Sequence, residues 1–300
     1  ASWNTLGWGS SFAHILMITG ICSFILLMVR ALTYVNPIIR MHLFKQKSFS
    51  VGCIILFIVG AILFGTVTTL PPLFENVLGY QKSTVGLILV SFGFVMAPTS
   101  ALVGYLTKFI NIRILTLVGL SCLLTSCFMQ ERIITVQSEN WQWVMILMIR
   151  AVGVSFSLGP VTSLALQGVA LPDIPAASMV VTFCRQMGGA IGASLLLLIG
   201  VYREEFHSQI YGANVNIHAP AFQAYTQAFA ERFERMRGFS TTESATLAKL
   251  IVVKNVKGQA YISAVNDSFF IMGCAVTAVT ILVAFIMIPV LLKMRTKAPI

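Results

Sequence analysis

Apolar stretches of about twenty residues alternate with short polar ones along most of the chain. They predict seven membrane-spanning helices, at residues 11–30, 51–72, 84–107, 112–130, 141–168, 176–201 and 265–292. Each is near the length that crosses a hydrocarbon core of about 30 Å as an α-helix. None shows the two-residue alternation of a membrane barrel strand. Helices and closed barrels are the structures that satisfy backbone polar groups in lipid. The expected fold is therefore an all-α polytopic membrane protein.

The first five connections are short, whereas residues 202–264 form a polar segment of about sixty residues. Within it Phe222, Tyr225, Phe229, Phe233 and Met236 recur at helical spacing over Gln227, Glu231, Arg232 and Arg235. Ser240 to Glu243 reads "STTE", a capping box for a second helix with Leu247, Leu250 and Ile251 as its apolar stripe. A helical hairpin folded onto the mouth of the bundle is expected, and a protein-docking surface is the sharper alternative.

Composition supports the membrane reading. The chain of 300 residues is 57% hydrophobic and 10% charged, against about 25% charged in soluble domains. The net charge of +10 reads as membrane topology, not as nucleic-acid binding. Lysines and arginines in short loops mark the cytoplasmic side. Arg30, Arg40, Lys45, Lys47, Lys108, Arg113, Lys293, Arg295 and Lys297 share one side, with Lys82 and Arg132 on the other. The start of the chain and the long loop are therefore expected outside, and its end inside. The six cysteines fall within apolar runs without zinc spacing, so they read as packing residues and no metal site is expected. The chain begins Ala1-Ser2-Trp3, and no basic stretch precedes the first apolar run; it reads as an excerpt of a longer protein.

Two arginines lie deep. Arg185 and Arg150 each stand nine residues inside a span, about 13–14 Å at 1.5 Å per residue. Arginine at a helix centre costs roughly 2.5–3.5 kcal/mol on insertion scales, so each should face a cavity or a protein partner. One reading is structural, with the guanidinium bonding carbonyls or helix ends. The other is functional, attracting an anionic substrate group or controlling a carboxylate in a partner half. Gly188, Gly189 and Gly192 follow Arg185 on one stripe, and small residues four apart let a second helix approach closely. Carboxylates are scarce: Glu75 ends the second span and Asp267 begins the last. Pro98 and Pro160 should bend their helices. No nucleophile motif, metalloprotease motif or midplane carboxylate pair supports an intramembrane enzyme.

Several motifs in order resemble the EmrB/QacA group of fourteen-helix drug:proton antiporters in the major facilitator superfamily. They are "NPIIRMHLFKQKSF", "LPPLFENVLGY" followed by Val85-Gly86-Leu87, "RAVG" with Arg150 and Gly153, "RQMGGAIGAS" from Arg185, and "QAYISAVNDSFF" around Asp267. "GYLTKFINIR" sits where the superfamily repeats its Gly-x-x-x-Asp-Arg-x-Gly-Arg loop, but only Gly104 and Arg113 match it. The resemblance implies that the spans are helices eight to fourteen. Residues 1–50 would then hold an extra helix and a cytoplasmic linker. Residues 51–300 would be the C-terminal six-helix bundle, carrying a periplasmic helical loop at 202–264.

It further implies export of amphipathic toxic compounds by alternating access with a missing N-terminal half. The proton gradient would supply the energy, without a cofactor. The location would be the bacterial inner membrane, in a lipid bilayer, with a periplasmic adaptor and an outer-membrane channel as partners. Arg185, Arg150, Asp267, Glu75, Phe183 and Phe156 are the pathway candidates. Gly188, Gly189, Gly192, Gly153, Gly104, Pro160 and Pro98 are the packing or gating candidates. A truncated half acting as a membrane scaffold, or a non-functional remnant, is the alternative.

Overall fold

The computed structural model describes residues 11–33, 41–135, 138–214, 220–237 and 241–295. Eight α-helices carry the described chain: α1 (Ser11–Thr33), α2 (Lys47–Pro72), α3 (Lys82–Leu106), α4 (Ile112–Ile133), α5 (Asn140–Leu166), α6 (Ile174–Asn214), α7 (Pro220–Arg237) and α8 (Thr241–Arg295). Six of them, α2–α6 and α8, are long and apolar enough to cross a membrane, and α1 adds a shorter apolar run, His14–Leu27. The chain is a multi-pass membrane protein of all-α architecture. Each predicted span falls on one helix.

Local chemistry sets several helix ends. Asn111 caps α4, its Oδ1 accepting from the Arg113 N–H at 3.1 Å. Glu139 and Gln142 form a reciprocal capping box at the start of α5. Pro71 and Pro72 close α2, and a π-helical turn, Leu73–Val77, follows them. Gly79 then turns the chain with φ +69°, a left-handed conformation that suits glycine. Phe74 fills this corner against Trp143, with ring centroids 4.9 Å apart and perpendicular.

The six long helices form two layers. The contacts run in the order α3, α5, α2, α6 across the first layer, with α4 and α8 packed behind. Glycines fix two of the close crossings. At the α2–α6 crossing, a Cβ on Gly60 would strike the Arg185 carbonyl oxygen, one on Gly188 the Phe57 carbonyl oxygen, and one on Gly192 the Ala61 side chain. A Cβ on Gly65 would meet Leu196. The pairs 57/188, 61/192 and 65/196 keep one offset, so the helices run parallel in a four-residue register. At the α4–α5 crossing, Gly119 abuts the Phe156–Ser157 backbone and Gly153 abuts Leu123. Pro160 removes the amide that would bond the Phe156 carbonyl, and Gly119 of α4 lies against that same carbonyl carbon.

The segment 202–264 differs from the expected hairpin. Both expected helices are present, as α7 and the first turns of α8, but the second runs without a break into the last span. Helix α6 runs 41 residues and α8 runs 55 residues, about 60 and 80 Å at 1.5 Å per residue. Both outrun a hydrocarbon core of about 30 Å. Their extensions project from one end of the bundle, and α7 packs along α8. Helix α7 does carry the predicted aromatic spacing, with Tyr225 and Phe229 rings 4.8 Å apart. The Phe233 and Met236 side chains, Ser240 of the capping box, the start of the chain and Arg40 lie outside the described residues.

Candidate functional site

Arg150 sits on α5 and is completely buried. Its Nη2 donates to Gln130 Oε1 of α4 at 2.6 Å, its Nη1 to Thr66 Oγ1 of α2 at 3.1 Å, and its Nε to Ser126 Oγ of α4 at 3.4 Å. The guanidinium carbon lies 4.4 Å from the centroid of the Phe269 ring on α8. Four helices therefore meet around one cation. No carboxylate pairs with it among the described residues. Neutral oxygens and a ring face offset the desolvation of the charge. Arg150 is thus enclosed by α2, α4 and α8, the kind of bonding that the structural reading of this arginine expects.

Arg185 is placed differently. It stands on α6, half-buried, at the margin of that helix's exposed face. Its backbone is locked to α2 through Gly60. Its side chain makes no hydrogen bond or ion pair among the described residues. A cation on an apolar helix, without a partner among the described residues, is the more chemically available of the two arginines. Phe183, two residues earlier, is 38% exposed on the same helix. Phe156 is half-buried, its backbone engaged with α4. Helix α3 also leaves large apolar side chains exposed, Leu87, Val90 and Phe94 among them.

Asp267 of α8 is held at the end of the bundle that carries α7. Its Oδ2 accepts from Arg203 Nε at 2.6 Å and meets His207 Nε2 at 2.7 Å, both residues belonging to α6. One turn further out, Tyr211 and Ser263 hydroxyls lie 3.0 Å apart. This cluster ties α6 to α8 where both leave the bundle. Glu75 is exposed on the π-helical turn and is not brought to Asp267 or to either arginine. The opposite end has its own tie: His42 Nε2 meets Asp173 Oδ2 at 3.0 Å, and Ser48 Oγ donates to the Leu164 carbonyl at 2.8 Å.

The packing candidates divide. Gly188, Gly189, Gly192 and Gly153 all lie against a neighbouring helix, Gly189 against the Phe64 ring. A Cβ on Gly104 would meet nothing within 4 Å, so Gly104 makes no close helix contact among the described residues. Pro160 is buried in α5, and Pro98 is exposed in α3. Sequence reasoning missed Thr66, Ser126, Gln130 and Phe269 as the Arg150 cage. Gln130 carried a usable signal, a polar side chain near a span end that becomes wholly buried. His207 and Arg203 were readable only as loop residues, because the extension of α6 beyond its apolar run was not anticipated.

A family model for the Major Facilitator Superfamily matches residues 2–193. The multidrug export protein EmrB of Haemophilus influenzae is 24% identical over 273 residues, covering 90% of this chain and 51% of that protein. EmrB of Escherichia coli is 25% identical over 272 residues, covering 88% of this chain and 50% of its own length. The probable multidrug resistance protein EmrY of Escherichia coli is 26% identical over 238 residues, 78% of this chain and 46% of that protein. The chain thus spans about half the length of these curated relatives. The family match covers most of the two-layered bundle, and the chain belongs to the major facilitator superfamily, whose members are transporters and not enzymes.

Proposed function

We propose that this chain is the C-terminal half of a proton-coupled multidrug exporter that carries amphipathic toxic compounds by alternating access. The observation that carries the reading is the exposed surface of the two helices at the ends of the first layer. There α3 and α6 leave large apolar side chains exposed, with the unpartnered Arg185 at the margin. A bundle that ends in lipid has no use for a half-buried midplane cation. A bundle that closes against a second one can set that cation beside a substrate or a carboxylate of the other half. Relatives named as multidrug export proteins, each matched over half its length, support the substrate class and the second half.

In this reading the protein sits in a bacterial inner membrane with the α7 end periplasmic. The distribution of lysine and arginine in the short loops supports that orientation. The proton gradient drives export, and a periplasmic adaptor with an outer-membrane channel receives the compound. The projecting helices α6, α7 and α8 are long enough to meet such an adaptor.

The test is Arg185→Ala in the complete gene, expressed in cells that lack their own exporters. Drug resistance and efflux of a fluorescent amphipathic cation should fall while membrane abundance holds. Unchanged resistance in that variant sinks the role given to Arg185.

A further inference from the structure

A cleft of about 600 Å³ lies beyond the membrane-spanning bundle, between the extension of α6, α7 and the extension of α8. Its volume falls in the range of small-molecule sites, roughly 300–1,000 Å³. One stripe of α8 forms its floor: Lys249, Val252, Val253, Val256 and Lys257. These positions are spaced i, i+3, i+4, i+7 and i+8, so they share one helical face. Three valines are thereby bracketed by two lysines about 12 Å apart along the axis. Phe222 of α7 closes the apolar side. Ser208 of α6 brings a hydroxyl that makes no hydrogen bond among the described residues. No carboxylate lines the cleft.

The two lysines are not equivalent. Lys257 faces Glu204 of α6 and shares its field with that carboxylate. Lys249 has no ion-pair partner among the described residues. Glu231, in an adjoining cleft that Lys249 also borders, is engaged by Arg235 at 3.2 Å. The combination is an apolar trough with an available cation at its rim and an uncommitted hydroxyl on the facing helix.

We propose that this cleft binds an amphipathic organic anion. The anionic head is held by Lys249, and an alkyl or aryl body lies over Val252, Val253 and Val256 beneath Phe222. Charge complementarity selects the class. A cation would meet two lysines and no carboxylate, and a neutral apolar body would leave Lys249 without a counter-charge. The site is separate from the Arg185 surface, so it stands or falls independently of the transport pathway proposed above.

The probe is dodecanoate bearing a chain diazirine, photolysed with the full-length protein in native membranes and in lipid nanodiscs, with adducts mapped by mass spectrometry. Adducts are expected on the peptides holding Phe222 and Val252–Val256. They should be competed by plain dodecanoate and not by dodecyltrimethylammonium. Lys249→Glu should lower labelling about tenfold, the loss of one charge-assisted contact. Val253→Asp, which places a like charge in the trough, should lower it as well. Both residues are exposed, and the binding readout needs no transport, so drug efflux provides a separate check on folding. Equal labelling of the Lys249→Glu variant, or equal competition by the cation, overturns the assignment. So does labelling confined to the membrane spans. Absence of these adducts in native membranes, where a partner protein or a lipid would fill the cleft, overturns it too.

Discussion

Arg150 donates to Gln130 at 2.6 Å, deep inside the bundle, and it is the amide oxygen of Gln130, not a carboxylate, that supplies the shortest contact. The relationship makes the arginine a tie between α5 and α4, with Thr66 and Phe269 extending the tie to α2 and α8. Removing the acceptor while keeping the cation leaves a buried charge short of a partner, the costly side of this balance. Gln130→Leu is expected to destabilise the bundle by about 2–3 kcal/mol. Adding Arg150→Met to that variant removes the stranded charge and should recover part of the loss. Thermal unfolding of the purified single and double variants checks the coupling. Strictly additive losses would show that the two side chains do not share one cage.

Two glycines, Gly188 at the α2–α6 crossing and Gly93 on α3, should respond to alanine with opposite signs. In a helix interior alanine is favoured over glycine by about 0.8–1.0 kcal/mol. At Gly93 of α3 a Cβ would meet nothing within 4 Å, so Gly93→Ala should be neutral or stabilising. At Gly188 the same Cβ strikes the Phe57 carbonyl, which is backbone and cannot rotate away. Gly188→Ala should therefore destabilise by about 1–3 kcal/mol, the usual penalty of overpacking. Comparing the melting temperatures of the two variants with the parent decides it; a matched response at both positions would remove the close crossing.

Much of this was legible in the sequence, and the parts that were not share a physical cause. Hydropathy located the membrane helices because burial in lipid demands a continuous apolar run. The glycines after Arg185 announced a close crossing, since nothing else explains small residues at that spacing. What periodicity does not carry is the identity of the facing helix. Arg150 and Arg185 look alike along the chain, each nine residues into a span, yet one is caged and the other stands at an open margin. That difference is decided by Thr66 and Phe269, residues 84 and 119 positions away in the sequence. The continuity of α8 through residues 241–264 was hidden for another reason. Its outer turns are polar, so hydropathy ended the span while the backbone hydrogen bonding did not.

Asp267 tests the tie between α6 and α8. Its carboxylate is engaged twice, by Arg203 and His207, but the Arg203 side chain is 40% exposed and solvent screens the pair. Asp267→Asn should then cost about 1 kcal/mol or less. The exchange Arg203→Asp with Asp267→Arg should restore the parent stability if the pairing itself is what matters. In proteoliposomes, drug-dependent proton movement should persist in Asp267→Asn, because the carboxylate lies at the end of the bundle and not at its midplane. Loss of proton movement with unchanged stability would instead make Asp267 a proton carrier.

Cys53 of α2 and Cys184 of α6 provide a direct test of the parallel register. All six cysteines are free, and these two thiols are near enough to influence each other across the crossing. Cys184 immediately precedes Arg185, and Cys53 lies two turns before Gly60 on the helix that Arg185 abuts. A short bifunctional thiol reagent such as dibromobimane, which enters membranes and fluoresces only when both ends have reacted, should link them within one chain. The variant to use keeps Cys53 and Cys184 and carries serine at Cys22, Cys122, Cys127 and Cys274. Fluorescence should follow the monomeric band and vanish in Cys53→Ser or Cys184→Ser. A register shifted by one helical turn would displace the thiols by about 5.4 Å along the axis and leave the reagent attached at one end only. Absence of the fluorescent product, with each thiol singly reactive, would therefore reject the α2–α6 register on which the placement of Arg185 depends.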